Sequence, residues 1–149
     1  VDPISRRAFW DLLYELAEGG TTVMVTTHYM DEAEHCQSLA FIQGGRLVAI
    51  GSPQEIKTHE MRGQVLEVDC DQPDVAIPIL RRSGVFEEVA LYGALIHVVT
   101  QDPDTHQPLI EQVLRDQGVG VAAVDRIAPS LEDVFIISAR RMENVKREA

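Results

Sequence analysis

Residues 21–27 read Thr-Thr-Val-Met-Val-Thr-Thr, a nearly unbroken run dominated by β-branched side chains. Such a run predicts a strand covered on both faces, because a half-exposed strand alternates apolar with polar positions. A helix signal precedes it. Ile4, Ala8, Leu12 and Leu16 recur every four residues, joined by Phe9 and Leu13, and that spacing lays an apolar stripe along one side of a helix. Asp2 or Val1 stands before the helix, Pro3 suits its first turn, and Gly19-Gly20 stops it. A helix followed by a buried strand is half of an α/β unit, and the strand requires neighbours on both sides.

The rest of the chain is read by local punctuation. Met30 to Cys36 reads as a short helix with Asp31, Glu32 and Glu34 in its early turns, where the helix dipole favours carboxylates. Ser38–Gln43 and Arg46–Ile50 read as two strands of a hairpin around Gly44-Gly45. Ser52, Pro53 and Glu55 are spaced as a capping box at the head of a helix that reaches His59. Gly63 looks like a boundary, dividing the chain into residues 1–62 and 63–149. Beyond it, Val65, Glu67 and Asp69 alternate with Leu66, Val68 and Cys70, a strand with one exposed face. A weaker helix at Asp74–Arg82, interrupted by Pro78, precedes strands at Val85–Leu91 and Ala94–Thr100. A helix at Thr105–Gln117 and a strand within Val119–Ile127 complete the order strand, helix, strand, strand, helix, strand. That is a split βαβ arrangement. Ser130 and Asp133 open a last helix, whose Arg140-Arg141 and Lys146-Arg147 read as a solvated basic end.

Composition narrows the function. The 149 residues carry a formal net charge of -11, so the chain repels a phosphate backbone and nucleic-acid binding is not expected. Aromatics make up 5%, few for a surface that stacks bases or sugars. No apolar run approaches the roughly 20 residues that cross a bilayer. Cys36 and Cys70 stand alone and fit free thiols in a reducing compartment, with a single disulfide as the alternative.

His28 is the best candidate for chemistry. It follows the predicted buried strand, and in open α/β sheets function concentrates beyond the C-terminal strand ends. An imidazole there can donate to a phosphate oxygen or orient a water; a structural histidine bonded to backbone is the competing reading. A metal at His28 with Asp31, Glu32 or His35 fits no ligand spacing, and His35, His59, His97 and His106 form no metal pattern. A triad of Ser5, His28 and Asp31 lacks the turn that exposes a nucleophilic serine. Asp2 reads as a helix N-cap or as a residue that positions backbone at an interface.

Taken together and in order, these motifs resemble the ATP-binding subunits of ABC transporters, especially exporters of drug or polysaccharide type. Val1-Asp2-Pro3 resembles the end of the D-loop. Thr26-Thr27-His28-Tyr29-Met30-Asp31-Glu32-Ala33-Glu34 resembles the H-loop, or switch segment, and Gly45-Arg46-Leu47-Val48-Ala49-Ile50-Gly51-Ser52-Pro53 the hairpin and turn that follow it. Leu131-Glu132-Asp133-Val134-Phe135 resembles the hallmark of the C-terminal extension found on such exporters.

The resemblance implies a partial P-loop NTPase core over residues 1–62, followed by a small α+β, ferredoxin-like accessory domain over 63–149. It makes His28 the switch histidine that contacts the γ-phosphate and the attacking water. Asp2 would support communication between paired ATPase domains. ATP and Mg²⁺ would serve the full-length parent, with neither expected on this chain, which has no Gly-rich Lys loop in its sequence. Implied partners are transmembrane permease subunits and a second ATP-binding domain, at the cytoplasmic face of the cell membrane. An unpaired buried strand would expose an apolar edge, so a homodimer, or a cut from a larger protein, is expected. A standalone regulatory or protein-interaction module and a soluble hydrolase using His28 are the other readings.

Overall fold

The computed structural model describes residues 2–148, with side chains described for residues 2–141. Helix α1 spans Pro3–Glu18, with Asp2 as its N-cap. The apolar periodicity produces the helix but not the expected burial. Only Trp10 is buried, packed against Tyr14 and His35, whereas Ile4 is 82% exposed and Phe9, Leu12 and Leu16 also face outward. The strand predicted at Thr21–Thr27 is absent. That segment is irregular and Met24 is 95% exposed. β-branched residues favour a strand only where another strand takes up its N–H and C=O groups. Among the described residues neither sheet pairs with this segment.

The short helix α2 covers Met30–Ala33. Strands β1 (Leu39–Gln43) and β2 (Arg46–Gly51) form an antiparallel hairpin. Its turn uses Gly44 and Gly45 at φ 55° and 73°, left-handed angles that glycine adopts without a Cβ clash. Helix α3 (Pro53–Glu60) opens on the capping box, with Ser52 and Glu55 satisfying each other's backbone N–H groups.

The second sheet contains β3 (Gln64–Cys70), β4 (Glu88–Tyr92), β5 (Leu95–Thr100) and β6 (Val121–Ile127) in the order β4-β5-β3-β6, with every pairing antiparallel. Helix α4 (Pro73–Ser83) follows β3, and α5 (Pro103–Asp116) follows β5. Ala76 and Leu80 of α4 and Ile110 and Leu114 of α5 pack on Leu66, Val68, Ile96 and Val98 to form one core. Pro78 lies inside α4 without ending it; the apolar face bearing Ala76 and Leu80 is buried, and this packing outweighs the hydrogen bond that proline removes. Strand β4 begins at Glu88 rather than Val85, and Phe86 packs against the core from the preceding loop.

The opposite sheet face is not simply open. Helix α6 (Leu131–Glu148) lies against it, and Ile137 packs with Val65 and Val99. The same helix places Leu131 and Val134 among Ala33, Phe41, Ala49 and Ile56, so α6 closes two apolar clusters at once. Arg140 pairs with Glu88, and Arg141 donates to the Glu60 carbonyl. These two arginines therefore tie the helix down instead of forming a solvated end; the side chains of Lys146 and Arg147 lie outside the described residues. Both sheet edges carry side-chain caps. On β4, the Val89 carbonyl accepts from Arg81 of α4 at 2.8 and 3.1 Å. On β6, the Val124 carbonyl accepts from Gln107 of α5 at 2.6 Å.

Candidate functional site

His28 sits in the connection between the irregular segment and α2, exposed, with its ring 4.1 Å from the Tyr29 ring, centroid to centroid. It does not follow a strand, so the expected strand-end setting is not formed. A bracket of hydrogen bonds fixes the chain around it instead. The Thr27 hydroxyl donates to Glu32 at 2.6 Å and accepts from the Tyr29 N–H at 3.0 Å. Arg6 of α1 lies 3.6 Å from carboxylate oxygens of both Asp31 and Glu32, with its guanidinium over the Tyr29 ring.

Asp2 is fully engaged as a cap. Its Oδ1 accepts from the backbone N–H groups of Ile4 and Ser5, at 2.9 and 3.0 Å, and its Oδ2 accepts from the Ser5 hydroxyl at 2.6 Å. The Ser5 hydroxyl bond first, then the Ser5 backbone bond, holds the Asp2 carboxyl below the usual range. Because Ser5 donates to Asp2, the sketched triad of Ser5, His28 and Asp31 does not assemble through its hydroxyl. The Asp2 carbonyl also accepts from the Arg6 N–H. Asp2 and His28 are thus connected through Arg6, which links the start of α1 to the His28 loop.

A second polar cluster was not legible as a site. His97 of β5 is 3% exposed. Its Nδ1 lies 2.5 Å from Asp133 of α6, and its Nε2 lies 3.1 Å from Glu67 of β3. Glu67 and His97 are register partners on adjacent strands, a relation that only the strand pairing reveals. Asp133 Oδ2 accepts from the Ser130 N–H and hydroxyl, both at 2.8 Å, which realises the predicted capping box. Among the described residues no group of three or more His, Cys, Asp or Glu side chains is placed to hold a metal ion. Cys36 and Cys70 are free, and burial raises both thiol pKa values. No helix among the described residues is long and apolar enough to cross a membrane.

Comparison with known proteins places this architecture. Residues 51–139 match the family described as ATP-binding protein DrrA1-3-like, C-terminal domain. The chain is 36% identical to the Nod factor export ATP-binding protein I of Ralstonia nicotianae, over 97% of this chain and 45% of that protein. It is 31% identical to the daunorubicin resistance ATP-binding protein DrrA2 of Streptomyces coeruleorubidus, over 98% of this chain and 47% of that protein. Half of the chain is 49% identical to 12% of the probable multidrug ABC transporter ATP-binding protein YbhF of Escherichia coli. The chain belongs to the DrrA1-3-like ABC transporter ATP-binding proteins and carries their C-terminal domain. It spans a little under half the length of the Nod factor export and daunorubicin resistance relatives, each of which matches nearly the whole of this chain.

Proposed function

We propose that this chain is part of the subunit that binds and hydrolyses ATP to drive an ABC-type exporter. The observation that carries the reading is the resemblance of the D-loop, H-loop and hairpin motifs, in order, within a chain that aligns over nearly all of its own length with a Nod factor export ATP-binding protein and a daunorubicin resistance ATP-binding protein. Residues 1–62 form the C-terminal portion of a P-loop NTPase core, and residues 63–149 form an accessory domain of split βαβ, ferredoxin-like type. The partners are permease subunits and a second ATP-binding domain, with homodimerisation, at the cytoplasmic face of the membrane.

His28 fits a phosphate contact. Its imidazole is exposed, and the Thr27–Glu32 bond brackets its backbone. A backbone held in this way places the ring's attachment point where an exposed imidazole can donate to developing charge. Asp2 does not fit as a direct nucleotide ligand, since the helix cap and Ser5 occupy both its oxygens. Its role is to hold the start of α1, and through Arg6 the His28 loop, in a fixed relation. ATP with Mg²⁺ supplies the phosphoanhydride chemistry.

A phosphate cradle, metal ligands and a water-orienting group must act together, and this sequence supplies only the last. The pure chain is therefore expected to release no phosphate from ATP; ATP-dependent turnover by it would overturn that expectation. In a longer protein joining this chain to a Gly-rich Lys loop, His28→Ala is expected to keep ATP binding and lose turnover by roughly 10²-fold or more. Unchanged turnover would remove His28 from the mechanism.

A further inference from the structure

His97 is surrounded by acceptors. Its two ring nitrogens face carboxylates on two different elements, Asp133 of α6 and Glu67 of β3, at 2.5 and 3.1 Å. A neutral imidazole carries one N–H and can donate to only one of them, whereas the imidazolium donates to both. Tyr92 of β4 stacks on the same ring, with centroids 4.3 Å apart and planes 8° from parallel, the arrangement in which a ring face favours a cation. The fourth strand contributes Asp125, which is exposed and pairs in register with Glu67. Glu88, nearby on β4, has its own cation in Arg140 of α6.

We propose that α6 is held on the sheet by a proton-dependent latch, in which doubly protonated His97 bridges Asp133 of the helix to Glu67 of the strand. Loss of one ring proton leaves one carboxylate without its hydrogen bond and both without the cation, in a setting where Asp133 is 4% exposed. Burial opposes the charged ring. The Asp133 hydrogen bond and charge, followed by those of Glu67, outweigh that opposition and raise the His97 pKa above its ordinary 6.5. The latch is therefore closed below the ordinary histidine value of 6.5, for as long as Asp133 keeps its charge, and opens as pH rises through the raised value. Its release also reaches the other half of the chain, because Leu131 and Val134 of the same helix pack on Ala33, Phe41 and Ile56.

The test uses the whole 149-residue chain. Nitrogen-15 NMR of the imidazoles reports whether both His97 nitrogens are protonated at pH 6. Amide hydrogen exchange of residues 131–141, corrected for the intrinsic pH dependence of exchange, reports how firmly α6 is docked. Both nitrogens are expected to be protonated, and α6 is expected to exchange roughly tenfold faster or more once His97 has lost its proton. Strands β3 and β5 should remain protected. His97→Gln should show fast α6 exchange at every pH. A neutral His97 at pH 6, an α6 exchange rate indifferent to the His97 titration, or wild-type protection in His97→Gln would each overturn the proposal. Should His97→Gln fail to fold, the wild-type titration decides alone.

Discussion

The carboxylate of Glu34 accepts a hydrogen bond from the backbone N–H of Leu131, 97 residues away in sequence, at 3.4 Å. Lys57 of α3 donates to the same carboxylate at 2.9 and 3.1 Å. One side chain just beyond α2 thereby meets α3 and the first turn of α6. Glu34→Ala is expected to lower stability to urea by about 1–2 kcal/mol, since it removes the charged acceptor that the Lys57 ammonium and the Leu131 N–H share. Lys57→Ala should cost less, up to about 1 kcal/mol, because that ion pair is partly exposed. Equal midpoints for Glu34→Ala and wild type would show that the contact adds nothing.

Asp133 serves the helix cap with one oxygen and His97 with the other. Removing the side chain ends both roles, so Asp133→Ala is expected to destabilise by about 3–5 kcal/mol. Ser130→Ala, which disturbs only the cap, should cost about 1 kcal/mol. Burial tends to raise the Asp133 pKa. The His97 hydrogen bond and the Ser130 bonds prevail and lower it below the ordinary 3.8. A depressed carboxylate contributes stability that is complete above its unfolded-state value and is lost as pH falls through the folded one. Thermal melts of wild type should therefore decline below pH 3.8, and those of Asp133→Asn should decline less over the same interval.

Gly63 joins α3 to β3 at φ 138°, and a Cβ added there would lie 2.8 Å from the Thr100 carbonyl oxygen. That neighbour is sheet backbone and cannot step aside. Gly63→Ala is expected to cost about 1–3 kcal/mol from the backbone conformation alone, with the clash adding to it. A denaturation midpoint equal to that of wild type would contradict the tight approach.

The two outer strands present carbonyls that α4 and α5 cover from within the molecule, through Arg81 on Val89 and Gln107 on Val124. A free edge carbonyl invites a strand from another chain. The double variant Arg81→Ala, Gln107→Ala should therefore self-associate at lower protein concentration than wild type, as read by light scattering across a dilution series. Identical scattering at all concentrations would mean that these bonds do not guard the edges.

Local chemistry made much of the fold legible. Ser52-Pro53 with Glu55 marked α3, and Gly44-Gly45 marked the hairpin, because each depends on neighbours a few residues away. Thr21–Thr27 was misread for the opposite reason. Its residue types favour a strand, but a strand is completed only by partners, and none of the described strands pairs with it. Likewise Ile4, Leu12 and Leu16 specify which side of α1 is apolar without specifying what covers it. At the candidate site, His28 and Asp2 were visible through motif order. The Arg6 bracket and the His97 cluster were not, since they arise from residues brought together across helices and strands.

Helix α6 contributes to two cores, yet it follows both in sequence. During synthesis, Phe41, Ile56, Val65 and Val99 leave the ribosome well before Leu131, Val134 and Ile137 arrive to cover them. Until then both of these clusters expose apolar surface, although the core between the sheet and helices α4 and α5 holds no residue of α6. A chain cut before α6 would be left uncovered in both places at once, so the finish of two separate clusters hangs on the arrival of one helix.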